Sequence, residues 1–201
     1  MRTIVFALLL LRQDKWEKDI AALEKKPSVG DIVFIGSSTI RMWDVEKHLP
    51  DLKINNRGFG GSQIADSVRY ADRIVIPLRP KTVVLFAGGN DINAGKAPEQ
   101  AFEDYKAFVA KVQGALPDTK IWFMSLYPNL KRQEQLPKTK ALNELIAAHV
   151  KGNPKLGYID VASALCPDGV PRAEVLHEDQ LHLNERGYAI ISKVVREALT
   201  K

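Results

Sequence analysis

Residues 31–43 read Asp-Ile-Val-Phe-Ile-Gly-Ser-Ser-Thr-Ile-Arg-Met-Trp, and this stretch decides the fold. Its first part, residues 31–36, is a short apolar run rich in β-branched side chains that ends at a glycine, which is typical of a buried strand. The hydroxyl residues 37–39 are suited to the start of a helix. The stretch therefore predicts a strand, a tight turn and a helix in direct succession.

The same alternation of short apolar runs and helical patterns continues along the chain. Predicted strands are residues 31–36, 52–56, 82–87, 120–126 and 156–161. Predicted helices are residues 14–26, one that opens at 37–39, 64–76, 98–116, 141–151 and 184–199, and predicted loops are residues 128–139 and most of 167–183. Strands that alternate with helices indicate an α/β fold of the flavodoxin-like type, with a five-stranded parallel sheet between two helix layers.

Composition is that of an ordinary globular protein. The 201 residues are 45% hydrophobic and 26% charged, which excludes disorder as the main state. We expect a single domain over residues 14–201.

The net charge of +5 is scattered, with one local group at Lys131, Arg132, Lys138 and Lys140, so we predict no binding of nucleic acid. The single cysteine, Cys166, cannot form an internal disulfide and is expected to be a partly buried apolar residue.

Residues 1–13 form an apolar N-terminal segment. A positive residue is followed by eight apolar residues, 4–11, which resembles the start of a secretory signal. Arg12 follows at once, and no small-x-small cleavage site is present. The run is too short for a membrane span, which needs about 20 residues. We interpret it as a remnant of a signal peptide or as a segment that docks on the domain, and a secreted or periplasmic location is favoured over a cytoplasmic one.

Polar and glycine-rich residues follow four of the predicted strands. In parallel α/β sheets, ligands bind beyond the carboxyl ends of the strands. Segments that are far apart in the sequence are therefore expected to meet at one edge of the sheet. They are Ser37 and Ser38, Gly60 and Gly61, Asn90 and Asp91, and Asp179 and His182.

These residue types suit acyl transfer by a serine nucleophile. Ser38 lies at the turn into a helix, and His182 could act as its base, with Asp179 three residues earlier to fix the imidazole tautomer. The Asn90 side chain and the Gly61 backbone N–H could donate to an oxyanion. Each residue also has a purely structural interpretation: a helix cap for Ser38, a capped loop for the Asp–His pair, and turn residues for the other two.

Two alternatives stay open within this interpretation. Ser37 competes with Ser38 as the nucleophile. His177, Asp179 and His182 could instead ligate a metal ion, although we predict no metal. The other histidines, His48 and His149, lie in helical, charged surroundings and are expected at the surface.

The four blocks together resemble the SGNH (GDSL-type) hydrolase family. They are Gly36-Ser37-Ser38-Thr39, Gly60-Gly61, Gly89-Asn90-Asp91 and Asp179-x-x-His182, and the resemblance spans residues 31 to 188. The family's fold is a three-layer α/β/α sandwich with a five-stranded parallel sheet. By resemblance, Ser38 is the nucleophile, His182 the base and Asp179 its orienter, while Ser38, Gly61 and Asn90 form the oxyanion hole. The family's usual Gly-Asp-Ser reads Gly36-Ser37-Ser38 here, so the acidic residue before the nucleophile is missing.

The resemblance implies a serine esterase that needs no cofactor. No large insertion could form a lid, so the expected substrates are small-molecule or carbohydrate esters with short acyl groups, above all acetyl esters. Two other functions remain as alternatives. A flavodoxin-like FMN carrier would use the Ser/Thr-rich turn to hold a phosphate at a helix N-terminus, and a binding domain without catalysis would keep the same fold. The oligomeric state cannot be predicted from the sequence.

Overall fold

A computed structural model describes residues 14–200 of the 201-residue chain, so the apolar segment of residues 1–13 lies outside the described residues. Five parallel strands form one sheet in the order β2-β1-β3-β4-β5. They are β1 Ile32–Gly36, β2 Ile54–Gly58, β3 Thr82–Phe86, β4 Lys120–Met124 and β5 Leu156–Ile159. The predicted α/β fold with a five-stranded parallel sheet is confirmed.

Helices cover both faces of this sheet. They are α1 Glu17–Glu24, α2 Ser38–Met42, α3 Val45–His48, α4 Ile64–Ile74, α5 Gly89–Asn93, α6 Pro98–Ala115, α7 Leu136–Val150, α8 Val161–Leu165 and α9 Glu185–Leu199. In one group, α1 packs on α4, α4 on α6 and α6 on α7, and in a second group α3 and α8 pack on α9. This is the layer architecture that the strand–helix alternation predicts. Within residues 14–200 no helix is long and apolar enough to cross a membrane.

The central strands are buried on both faces, which explains their continuous apolar runs. Val33, Phe34 and Ile35 of β1 are fully buried, and so are residues 83–85 of β3. Burial of apolar side chains stabilises the fold by about 1.5–3 kcal/mol for each large residue. The sheet therefore forms a rigid layer, and the loops at its carboxyl edge are held on fixed strand ends.

The edge strand β2 lies two residues later than predicted. Residues 52–56 were predicted, whereas β2 is Ile54–Gly58 and contains the polar residues Asn55, Asn56 and Arg57. Their side chains are satisfied by backbone carbonyls: Asn55 Nδ2 donates to Gly30 O at 2.7 Å, and Arg57 Nη2 donates to Lys26 O at 2.9 Å. A hydrophobicity pattern cannot detect a strand whose polar side chains are paired in this way.

The predicted loop of residues 128–139 is wrong over most of its length. A 3₁₀ helix, Leu130–Gln135, runs directly into α7, which begins at Leu136 rather than at residue 141. Pro137 lies in the first turn of α7, where the missing N–H of proline is tolerated because no intrahelical acceptor is needed there. The Asn129 side chain accepts a hydrogen bond from Arg132 N at 3.0 Å and so caps the segment.

Glycine at the end of β1 brings two strand ends into close contact. Gly36 has φ +141°, and a Cβ at this position would lie 1.9 Å from Phe86 O of β3. Ser37 N then donates to the same carbonyl at 3.0 Å. Any other residue at position 36 would push β1 away from β3. The turn that carries Ser38 is therefore fixed directly to the middle of the sheet.

Candidate active site

Ser38 is the first residue of α2 and not its cap. Ser37 takes the N-cap position, and its side chain makes no capping hydrogen bond. Two contacts from elsewhere in the fold anchor α2: Asn56 Nδ2 donates to Ile40 O at 2.7 Å, and Tyr188 OH donates to Thr39 O at 2.9 Å. The interpretation of Ser38 as a simple helix cap is therefore wrong, and its hydroxyl is available for other contacts.

Ser38, His182 and Asp179 form a continuous chain of hydrogen bonds. His182 Nε2 lies 2.8 Å from Ser38 Oγ, and His182 Nδ1 lies 2.5 Å from Asp179 Oδ2. If the ring proton is on Nδ1, it donates to Asp179, and Nε2 is left free to accept the serine proton. The structure thus brings together the three residues that the sequence analysis assigned as nucleophile, base and orienter, in the geometry that nucleophilic catalysis needs.

The carboxylate of Asp179 is held in its ionised form. Partial burial opposes ionisation, but the hydrogen bond from the His182 ring outweighs it, together with bonds from the backbone N–H groups of His182 and Leu181, both at 3.0 Å. These donors keep the pKa of Asp179 well below its ordinary range. A carboxylate that stays charged can stabilise an imidazolium ion next to it.

The loop that carries Asp179 and His182 is closed by backbone hydrogen bonds. Leu176 and Leu183 form an antiparallel bridge, and His177 N donates to His182 O at 2.8 Å. Asn184 caps α9 by accepting from Gly187 N at 3.1 Å, and its amide donates to Leu176 O at 2.9 Å. The loop therefore presents the imidazole from a fixed backbone, although residues 167–183 contain little regular structure.

Three hydrogen-bond donors, which belong to Ser38, Gly61 and Asn90, line one cavity from separate segments of the chain. Within residues 14–200, the backbone N–H groups of Ser38 and Gly61 have no acceptor. Gly61 adopts φ +77°, a conformation that favours glycine. Asn90 Nδ2 donates one proton to Ser62 O at 3.0 Å, which leaves its second N–H free. His182 lines the same cavity as these three donors.

Arg132 is a site residue that the sequence analysis missed. Its guanidinium group is half-buried and donates to Asn90 Oδ1 from Nη1 at 3.3 Å and from Nη2 at 3.2 Å, and to Gly89 O at 3.1 Å. With its oxygen held by Arg132 and its nitrogen by Ser62, the Asn90 amide has one orientation. The only signal in the sequence was the local group of basic residues that includes Arg132.

Ser38 and His182 lie between two cavities of different size and character. The narrow cavity has a volume of about 50 Å³, and its walls include Thr39, Phe86, Leu126 and Tyr127. The wide cavity has a volume of about 370 Å³, and its walls include Asp19, Arg41, Gly60 and Gly61. Asn90 and Arg132 line both cavities. Two substituents of a planar ester group could therefore leave the reacting carbon in different directions.

The other histidines take no part in this arrangement. His177 is exposed and has no side-chain hydrogen bond among residues 14–200. The same described residues hold no group of three potential metal ligands, so they offer no support for a metal at His177, Asp179 and His182. His149 is exposed as expected, whereas the surface prediction for His48 is wrong: its side chain is only 8% exposed and packs against Tyr188.

Two sequence comparisons relate this chain to known proteins. Residues 41–190 match the model of the GDSL-like Lipase/Acylhydrolase family, a range that begins three residues after Ser38. The chain is 27% identical over 185 residues to platelet-activating factor acetylhydrolase IB subunit alpha1 from Pongo abelii, a match that covers 89% of this chain and 79% of the relative.

Two crystal structures show the same fold. A GDSL-like lipase from Bacteroides thetaiotaomicron superposes with a TM-score of 0.73 at 21% identity, covering 92% of this chain and 95% of the other. A carbohydrate esterase family 3 protein from Talaromyces cellulolyticus superposes with a TM-score of 0.70 at 16% identity, covering 85% and 96%. With the family match spanning most of the chain, the protein belongs to the GDSL-like Lipase/Acylhydrolase family and is a carboxylic ester hydrolase.

Proposed function

We propose that the protein hydrolyses short-chain esters, above all acetyl esters, with Ser38 as nucleophile, His182 as base and Asp179 as its orienter. The observation that carries this proposal is the unbroken hydrogen-bond chain from Ser38 Oγ through the imidazole to the Asp179 carboxylate. A flavin carrier or a binding domain without catalysis has no use for such a chain, which argues against both alternatives.

In the proposed reaction, His182 Nε2 takes the Ser38 proton while Oγ bonds to the ester carbonyl carbon. The carbonyl oxygen becomes an oxyanion that accepts from Ser38 N–H, Gly61 N–H and Asn90 Nδ2. The imidazolium then gives its proton to the alcohol oxygen, and the carbon–oxygen bond breaks. Water repeats the sequence on the acyl-enzyme, which releases the acid and restores Ser38. No step needs a cofactor.

The narrow cavity supports the preference for a short acyl group. At about 50 Å³ it has room for a methyl group beside the carbonyl but not for a long chain. Leu126 and Thr139 form part of its wall, and they also line an apolar cavity of about 500 Å³ that includes Pro128, Leu136 and Cys166. The space for a longer chain therefore exists, but these two side chains lie at its boundary with the site.

The nucleophile can be tested against its neighbour. Ser38→Ala should reduce hydrolysis of 4-nitrophenyl acetate to the residual rate that binding and oxyanion stabilisation alone supply. Ser37→Ala is the matched control, and it should keep most of the activity because Ser37 contributes no side-chain cap. Mass spectrometry after treatment with an active-site phosphonate should place the label on Ser38. A label on Ser37 would overturn the assignment.

A series of 4-nitrophenyl esters tests the acyl group. We expect kcat/KM for acetate to exceed that for octanoate by about tenfold or more, because the narrow cavity has no room for a long chain, which would stay in contact with water. Leu126→Ala should raise the octanoate rate relative to the acetate rate. An unmodified enzyme that prefers octanoate would contradict the acetyl proposal while leaving the esterase activity in place.

A further inference from the structure

The guanidinium group of Arg132 forms no ion pair with any residue that the structure describes. Its hydrogen bonds go to neutral acceptors, the carbonyl of Gly89 and the amide oxygen of Asn90. Among residues 14–200 no carboxylate lies within 4 Å of it. Burial lowers the pKa of Arg132, which records the free-energy cost of holding this charge away from water. A half-buried charge that lines a cavity and has only neutral acceptors is suited to pair with an anionic ligand in that cavity.

A second guanidinium group lines the wide cavity. Arg41 follows Ser38 by three residues on α2, and its side chain lies over Gly60, where a Cβ would come within 2.8 Å of Arg41 Nε. Within the described part of the chain, Arg41 also has no carboxylate within 4 Å. Among residues 14–200, the one carboxylate that lines the wide cavity is that of Asp19. The described part of the wall therefore carries two positive charges and one negative charge.

The wide cavity is also the one that suits the alcohol part of an ester. With the narrow cavity occupied by a short acyl group, the alcohol oxygen must lie near His182 to receive its proton, and His182 lines the wide cavity as well. The volume of about 370 Å³ accommodates a group the size of a sugar ring. Arginine binds carboxylate and phosphate oxygens through two parallel N–H donors, which a neutral hydroxyl cannot match.

We propose that the alcohol part of the natural substrate carries an anionic group, a carboxylate or a phosphate, which Arg41 and Arg132 bind in the wide cavity. The inference rests on the proposed esterase function and names its substrate class. The two arginines would bind the substrate before reaction and in the transition state alike, so their main effect is on KM.

The test compares three acetyl esters that share one sugar ring. The probes are monoacetylated methyl glucoside, the corresponding methyl glucuronoside, and methyl glucoside 6-phosphate acetylated at the same position. We expect kcat/KM for at least one anionic ester to exceed that of the neutral ester by about tenfold, mainly through a lower KM. The anionic ester with the higher kcat/KM shows whether the anionic group of the substrate is a carboxylate or a phosphate. About 0.5 M NaCl should reduce this ratio, because salt screens the charges.

Variants connect the preference to the two arginines. Arg41→Gln should bring the ratio of anionic to neutral rates to within about threefold, and Arg41→Glu should invert it. Arg132→Gln should also lower the ratio, along with kcat on every ester because of its contact with Asn90. Lys131→Gln is the matched control: it removes the same charge from an exposed neighbour that lines neither cavity, and it should leave the ratio unchanged.

Different outcomes would overturn the anionic substrate and the esterase function. If the neutral ester is hydrolysed in a Ser38-dependent manner and both anionic esters react within about twofold of it, the anionic substrate is overturned and the esterase proposal stands. A preference for the anionic esters that persists in both Arg41→Gln and Arg132→Gln also overturns the proposal of an anionic substrate. If neither the three esters nor 4-nitrophenyl acetate are hydrolysed, the proposed function itself fails, and the substrate class fails with it.

Discussion

Two aspartates at the carboxyl edge of the sheet have opposite surroundings. The Asp179 side chain is 49% exposed, and its carboxylate accepts from the His182 ring and from two backbone N–H groups. The Asp91 side chain is fully buried, and its carboxylate accepts from Ile64 N at 3.1 Å and from Lys96 Nζ at 2.9 Å. The first carboxylate is directed at the imidazole beside Ser38, and the second holds the start of α4.

Burial and hydrogen-bond donors compete at both carboxylates, and the pKa values of the two aspartates move in opposite directions because the balance differs. Burial raises the pKa of Asp91, because the Lys96 ammonium and the Ile64 N–H do not fully replace the water that the carboxylate loses. Burial opposes ionisation at Asp179 too, but the donors from His182 and Leu181 outweigh it and lower the pKa. The more deeply buried acid near the site is therefore the one with structural partners. The proposed role of Asp179 in the chemistry rests on its contact with the His182 ring and not on its burial.

Among the substitutions that test the contrast between the two aspartates, Asp179→Asn should have the largest effect. An asparagine in this position can stabilise the wrong imidazole tautomer, so that no ring nitrogen accepts the serine proton, and kcat should fall by about 10⁴. Melting temperature should change little, because the side chain is half-exposed.

Because the pKa of Asp179 is held low, its carboxylate stays ionised across the pH range of the assay. The acid side of the kcat/KM profile of the unmodified enzyme should therefore show a single protonation, that of the imidazole. A second protonation on this side would contradict the assignment of Asp179.

Asn90→Ala should come next, with kcat lower by about 10²–10³ for each folded molecule, the usual loss when one oxyanion donor is removed. KM should move little, because the ground-state carbonyl barely uses the donor. The bonds to Ser62 O and to Arg132 are lost as well, so the free energy of unfolding should fall by about 1 kcal/mol. Initial-rate assays and thermal unfolding on the same preparation separate the loss of kcat from the loss of stability. An unchanged kcat would remove Asn90 from the site.

Asp91→Ala should have the converse profile. Removing the carboxylate leaves the Lys96 ammonium with Asp104 alone and the Ile64 N–H without an acceptor, so the free energy of unfolding should fall by about 3 kcal/mol. For each folded molecule, kcat should stay within about tenfold of the original, because Asp91 does not line either cavity at Ser38. Asp91→Asn keeps an acceptor for Ile64 N and should lose less stability. If Asp91→Ala left stability intact and abolished activity, the two aspartates would not differ as we argue.

The sheet and the core of the site could be predicted from sequence because both depend on local patterns. Apolar runs mark the central strands, and a serine, an asparagine and an Asp-x-x-His unit follow the strand ends. Arg132 could not be predicted, since its contact with Asn90 spans 42 residues and depends on a 3₁₀ helix that the sequence presents as a polar loop. Nothing in the sequence distinguishes Arg132 from the other lysines and arginines, which number 29 with it, because its contacts depend on the three-dimensional structure.

The smallest effect should come from His177→Ala, which tests whether Asp179 orients His182 or ligates a metal together with the two histidines. The loop is closed by main-chain groups: His177 N donates to His182 O at 2.8 Å, and Gln180 N donates to His177 O at 2.9 Å. Alanine keeps all of these groups, and the exposed imidazole of His177 has no side-chain hydrogen bond among residues 14–200 to lose. We therefore expect kcat/KM to stay within about twofold of the original, the range typical of surface substitutions, with the same pH profile. Chelation by EDTA should leave the activity of both proteins unchanged. A loss comparable to that of His182→Ala, together with inhibition by EDTA, would favour a metal held by the two histidines and would assign Asp179 to that metal instead of to the orientation of a base.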